Sequence, residues 1–417
     1  MPVINHSAAV QGAASSFRST MNYVNGVYHL NEKSIDKLDE NFKKVSYTDS
    51  AANLNNFSWA NANAIVLETE GEPIINDYDF GAAIGSRMGA IHEISDERNV
   101  YQLKNVFSAR ESYEKIYSDD KMNERNLGRV SKKLNEKLAV RLDKYRLKIW
   151  ADGAGTTYTI SSALDHSNVA RTLLTANARL DNMDVPEGNR KCFMRITDTI
   201  EMQLADELKY QQEFTNKGAI NGAVTKLGKT TVIGVPDNRM PAGARAIIKW
   251  QGASADPRKL NYLRIFPVKE GHNAPILNAI WRYDSFVLAH KANGIIVIGD
   301  TVEAPQAAPT AAMGTSSDAG KVILTSGSGS TTYADAIYYT IDGHNPKIVD
   351  NGSAIRLGGT ASSGVVKTDA LDHSCYIQAY AVKDGKVASG IAKFYFEYVS
   401  GGTSTVTALA YDEEIPF

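Results

Sequence analysis

Apolar residues keep helical spacing over their longest run between Asn123 and Trp150, where Leu127, Val130, Leu134, Leu138, Leu142, Tyr145 and Ile149 follow at steps of three and four. That spacing puts them on one stripe of an α-helix, and no proline interrupts it. The pattern predicts a helix about 40 Å long, enough to act as a strut across a domain. Gly128 is its weakest internal position, and Asp152-Gly153 followed by Gly155 marks its stop.

Around this helix the patterning changes several times. Residues 1–57 mix small polar residues with one short helical candidate, SIDKLDENFKKV, and hold too few large apolar side chains to fold alone; they read as an arm that needs another surface. From Trp59 to Phe107 strands are expected: 64–67 leads into the turn-prone 70–73, and a second extended run covers 99–107. The polar, glycine-spaced DYDFGAAIGSRMGAIHEISDER lies between them, so 58–110 reads as a projecting ribbon with no core of its own.

After the helix, SNVARTLLTANARLDN predicts a short helix, 190–196 a strand, 197–208 a helix and 230–235 a strand closed by Pro236-Asp237-Asn238. Strands at 244–250 and 260–268, the loop GASADPRK between them, and strands with one short helix over 281–298 complete an α+β domain without regular βαβ alternation. Residues 302–320 are rich in Ala, Pro, Thr and Ser and read as a linker. Beyond it, strands at 322–325, 337–341, 354–357, 365–368, 375–382 and 391–398 follow in the cadence of a small all-β sandwich. On its last strand Ala392, Phe394, Phe396 and Tyr398 share a face.

Composition adds limits. The 417 residues are 43% hydrophobic and 22% charged, ordinary for a globular chain of two or three domains. The N-terminal residues lack a basic start followed by an apolar run, and the longest apolar runs are too short to cross a bilayer, so neither export nor anchoring is expected. Cys192 and Cys375 match no metal or redox spacing and read as buried thiols made in a reducing compartment. Charge is uneven: residues 303–417 carry 7 Lys and Arg against 12 Asp and Glu, which leaves the rest of the chain mildly basic.

Candidate chemistry is sparse. GAVTKLGKTT, 222–231, resembles a phosphate-binding loop, but five residues rather than four separate Gly222 from Gly228, and a strand follows where that motif needs a helix; a surface turn is expected. His92-Glu93 lacks the second histidine of a zinc protease, the other histidines are scattered, and no nucleophile elbow occurs. Glu413-Glu414 lies in a tail, and Gly81, Gly85 and Gly89 fit a loop. Neither catalytic, cofactor-binding nor metal-binding residues are nominated, and no enzyme is expected. The long helix carries ten Lys and Arg against three acidic residues over 121–148, either a solvated face or a surface for nucleic acid held without sequence reading.

Two resemblances follow from local phrases. The first 300 residues, taken in order as arm, ribbon, long helix and α+β domain and carrying the phrases FSARESYEK, KLAVRLDKYRLKIWADGAG, VPEGNRKCFMRIT, GKTTVIGVPDNRMP and YDSFVLAHKANGIIVIG, resemble the major capsid protein of tailed bacteriophages, the Hong Kong 97 fold. The resemblance implies an N-terminal arm (1–57), an extended loop (58–110), a peripheral domain (111–160 and 280–301) with a spine helix at 123–150, and an axial domain (161–279). It implies hexamers and pentamers forming an icosahedral shell around double-stranded DNA in the virion. Portal and scaffolding proteins would be partners, and assembly would take place in the host cytoplasm. The encapsulin compartment shares that shell fold. IYYTIDGHNP, 337–346, with IQAYAVKDGKVAS resembles the immunoglobulin-like domain at the C-terminus of chitobiases, with Lys347 where a Thr is common. It implies an accessory, noncatalytic domain over 321–417; from the charge asymmetry this acidic module is expected to face out and the mildly basic shell to face the genome, with decoration proteins or surface glycans as partners, and a carbohydrate-binding adhesion protein is the rival reading.

Overall fold

The computed structural model describes residues 21–24, 27–30, 42, 45–53, 57–61, 63–70, 96–112, 123–205, 223–228, 230–266, 276–348 and 356–413. The expected arm helix at 34–45 falls outside them except for Phe42 and Val45, as do 71–95 of the ribbon, including His92 and Glu93.

Helix α1 runs Asn123–Gly153, 31 residues, or about 46 Å at 1.5 Å per residue. Its stop is the expected one. The N–H of Gly155 bonds the Ala292 carbonyl at 2.9 Å, and a Cβ on Gly153 would lie 2.6 Å from a Val287 methyl, so only glycine allows the helix end to sit this close. The stripe serves two separate cores. Leu134, Leu138, Ala139 and Leu142 pack with Phe42 on Ala279, Trp281 and Tyr283. One turn later Leu147, Trp150, Ala151 and Ala154 enter a second core with Phe193, Ile233, Ile247 and Val297.

The first core belongs to a five-stranded antiparallel sheet ordered Met21–Val24, Val27–Leu30, Arg258–Phe266, Ile276–Tyr283, Asn105–Ser112. The second belongs to a six-stranded mixed sheet ordered Thr156–Thr159, Ile295–Gly299, Ala246–Trp250, Arg190–Arg195, Thr230–Val235, Ala223–Leu227. Its strands alternate with period two between cores. Phe193, Ile233, Ile247, Ile295 and Val297 face α1, while Cys192, Met194, Val232, Ile248, Ile296 and Ile298 face the opposite side. There helices α2 (Val169–Asn182) and α3 (Ile196–Leu204) cover the sheet. These sheets cut across the division expected at 279/280: 258–266 pairs with 276–283 in the first sheet, and 295–299 lies inside the second.

The expected strand over 99–107 is two strands. Asp96–Gln102 pairs antiparallel with Ala64–Glu70 in a three-stranded ribbon that also holds Ser58–Asn61, and Asn105–Ser112 joins the five-stranded sheet. The corner between them is fixed because Leu103 is buried with Ile65, Leu67 and Ala255, and the Lys104 N–H donates to Asp284 Oδ2 at 2.9 Å. The loop expected at 252–259 likewise carries a short strand, Ser254–Ala255, paired with Phe286–Val287.

The C-terminal strands form two packed antiparallel sheets, one of Thr310–Met313, Val322–Thr325 and Val365–Lys367, the other of Leu357–Thr360, Ala336–Thr340, Cys375–Val382, Ala392–Glu397 and Thr405–Ala408. Val322 and Leu324 of one meet Ile337, Ile377, Phe394 and Phe396 of the other. Tyr398, expected beside those phenylalanines, lies beyond the strand and is exposed. The stretch read as a linker, 302–320, holds the first of these strands and is tied down before it: Glu303 meets Arg195, and Gln306 is buried. The sandwich is docked on the end of α1. Val387 enters the α1 core, Lys347 Nζ donates to the Ala154 carbonyl at 2.7 Å, and the Ile391 N–H donates to Gly155 O at 3.0 Å. Among the described residues no helix is long and apolar enough to cross a membrane.

Candidate interaction surface on the long helix

Over its last five turns α1 shows two polar flanks with opposite fates. On the first, Asp143 is fully buried and accepts from Ser46 Oγ at 2.6 Å, Thr48 Oγ1 at 2.7 Å, the Tyr47 N–H at 3.1 Å, the Thr48 N–H at 3.2 Å and Arg239 Nη1 at 2.8 Å. Arg146, also fully buried, meets Asp49 Oδ1 at 3.0 Å and the Asp256 carbonyl at 3.2 Å. Trp150 Nε1 donates to Asp256 Oδ1 at 3.0 Å, and Ser254 and Ser285 donate to the same carboxylate. Lys249 Nζ donates to the Ala51 carbonyl at 2.6 Å and sits 3.9 Å from Asp256; burial pulls its pKa down to about 8, partly opposed by that carboxylate. Charges taken out of water persist only when paired and hydrogen-bonded. Here the pairing clamps residues 45–53, the end of the expected arm, onto the helix.

The other flank is open. From Leu134 to the helix end the exposed residues are Glu136, Lys137, Arg141, Lys144 and Lys148. At about 100° per residue the four cations fall within an arc of about 60°, and Glu136 lies outside it. The arc is lined by buried or half-buried positions on both sides. Arg141 reaches back over the Phe107 ring, its Cζ 5.9 Å from the centroid, which fixes its stem while its head stays wet. The side chains of Arg129 and Lys133 lie outside the described residues.

A third feature is apolar. Ile196, Ile200 and Leu204, spaced four apart on α3, are 50%, 53% and 54% exposed, and Leu174 on α2 is 50% exposed.

The remaining candidates resolve simply. The phosphate-loop look-alike is a hairpin: Ala223–Leu227 pairs antiparallel with Thr230–Val235 through Gly228 at φ 57°, with Gly222 and Lys229 outside the described residues. Cys192 and Cys375 are buried free thiols, Cys192 pushed up to about 12 by burial. Glu413 caps its own turn, accepting the Ala410 N–H at 3.2 Å, and Glu414 is outside the described residues. Among the described residues no group of three or more His, Cys, Asp or Glu is placed to hold a metal ion. An acid network does occur where the chain enters the sandwich. Asp300 accepts Arg245 Nε at 2.9 Å and three backbone N–H groups, whose donors hold its carboxyl below the usual range against the opposing effect of burial. Nearby, burial pushes Asp198 up to about 6 despite Arg245 and Arg195.

Sequence reading missed the clamp. The charge count over 121–148 includes Asp143 and Arg146 in a solvated or nucleic-acid-facing surface, although Ala139, Leu142 and Trp150 share their side of the helix, and that apolar company is the available signal. Lys347, Val387 and the tail residue Tyr411, whose ring stacks with Arg179 of α2 at 5.1 Å, carried no signal as docking residues.

No family model and no curated protein matches the chain. Solved structures similar to it include the capsid of the cyanophage P-SCSP1u, at 13% identity and TM-score 0.47 over 62% of this chain and 89% of that one. Mycobacterium phage Che8 matches at 14% identity and TM-score 0.44, over 61% and 90%. A virus-like particle from Pyrococcus furiosus matches at 9% identity and TM-score 0.40, over 64% and 98%.

Proposed function

We propose that the chain is a shell subunit, the major capsid protein of a tailed bacteriophage, which assembles through hexamers and pentamers into a closed icosahedral head around double-stranded DNA. The observation that carries this is a single core. Four of the phrases that resemble the capsid family are scattered over about 160 residues of sequence, 137–299, yet they meet around the end of α1: Leu147, Trp150 and Ala154 from one, Phe193 from the next, Ile233, Val235 and Met240 from the third, Val287, Ala292, Ile295 and Val297 from the last. The fifth, beginning at Phe107, packs on the same helix further back. A hairpin at 21–30 extending the five-stranded sheet and a clamped segment at 45–53 agree with an arm laid along the surface.

The role is mechanical: many weak contacts summed by symmetry, with no catalytic step. The C-terminal sandwich acts as an accessory, immunoglobulin-like domain on the outer face. Portal and scaffolding proteins are the expected partners during assembly in the host cytoplasm, and decoration proteins or glycans are candidates for the sandwich. Negative-stain microscopy of the protein expressed alone tests the reading: closed shells or ring-shaped capsomers support it, and a monomer at every concentration overturns it. An encapsulin-like compartment would give shells loaded with protein and free of nucleic acid after assembly in the native host.

A further inference from the structure

From Leu134 to the helix end, where the side chains are described, the basic arc takes up about a sixth of the circumference of α1, and no side chain within it is acidic or apolar. Solvated helix faces ordinarily mix signs, because alternating charges stabilise neighbours at three and four residues. Lys137, Arg141, Lys144 and Lys148 instead repel one another at just those spacings, and the one exposed acid of this stretch, Glu136, lies outside the arc. Of the acidic residues that sequence places near them, Asp143 is turned to the buried flank and engaged by Arg239 at 2.8 Å, and Asp152 lies at the helix end beside Lys148. Only that lysine, at the end of the row, faces a carboxylate; the helix therefore keeps Lys137, Arg141 and Lys144 as a row without an acidic neighbour inside the arc, on a rod held rigid by two cores and the clamp. We propose that this arc is a phosphate-binding rail for duplex DNA.

The geometry favours this ligand. The row from 137 to 148 is about 16 Å long, which runs along roughly five phosphates of one strand. No aromatic ring lies within the arc, so it has no platform for unstacked bases of the kind single-strand binders use. Lys and Arg on a smooth helix face contact phosphates without reading base edges, so binding is indifferent to sequence. The inference rests on the shell reading for its choice of ligand, and names the surface by which the shell would hold its contents.

The test uses the full chain and a labelled duplex of about 30 base pairs, with affinity followed by fluorescence anisotropy between about 50 and 200 mM salt. K137Q/R141Q/K144Q/K148Q is expected to lose at least about tenfold in affinity at the low end, and its salt slope to fall by about 3 to 4. K226Q/K386Q, which removes exposed lysines elsewhere, should leave both unchanged. If the quadruple variant does not fold, K137Q/R141Q and K144Q/K148Q should each remove about half of the slope. Unchanged binding in the arc variants overturns the proposal. So does equal binding of polyglutamate, which would mean a generic acidic partner, or tighter binding of single-stranded than of duplex nucleic acid. Microscopy of the same preparations separates the two readings: shells with arc-independent DNA binding overturn the rail alone, and arc-dependent binding without shells overturns the shell reading alone.

Discussion

The two polar flanks of α1 are both built from charged residues within three turns of each other, yet one is interior and the other is surface. Asp143 and Arg146 are wrapped by residues 46–49 and by Asp256, whereas Lys137, Arg141, Lys144 and Lys148 face solvent. The difference lies in what crosses the helix. A charge becomes structural when another segment brings donors and acceptors to it, and stays available to a partner when none arrives.

The largest break in that contrast is expected at Asp143. D143A strips the carboxylate from under five donors and leaves Arg239 without its partner, so it should destabilise the protein by about 3–5 kcal/mol in urea unfolding; a loss below about 1 kcal/mol would mean the clamp contributes little. Lys249 comes next and shows as a pH effect. Its folded pKa of about 8 lies below the ordinary 10.5. Between these values the unfolded chain binds more protons, so its contribution to stability rises with pH through that window and is flat below it. The wild type minus K249M difference in unfolding free energy should carry this slope; a difference independent of pH from 7 to 10 would contradict it. W150F keeps an aromatic ring but loses the rest of the indole together with the Nε1–Asp256 bond; the bond to a charged acceptor alone should cost about 1.5–3 kcal/mol, seen as a lower melting temperature with an unchanged cooperative transition. On the open flank, K144Q should change stability by no more than about 0.5 kcal/mol, and a larger loss would show that the arc is part of the fold.

Much of the architecture was legible before the structure. The helix, its stop at Gly153, strands 190–195, 230–235 and 246–250 and the β-sandwich follow from period and turn chemistry, which act over a few residues. The corner at Leu103-Lys104 was not legible, because Leu103 continues the apolar pattern and only the distant Asp284 reveals the break. Nor was the docking of the sandwich: Lys347 looked like a mild departure in a turn motif, yet it caps the end of α1, and burial draws its pKa down to about 7. The region 302–320 read as a linker on composition, but its small residues let it lie against the body and then enter a sheet.

The sequence by itself determined that α1 would form, how long it would be and which residues made its apolar stripe, since backbone hydrogen bonding and side-chain period are local. Only the tertiary structure decided that the stripe would serve two cores, that Asp143 and Arg146 of the helix would be buried and that four of its cations would be left open. Those outcomes depend on segments about a hundred residues away arriving at one flank, Thr48 at Asp143 and Asp256 at Arg146, and on none of the described segments covering the other.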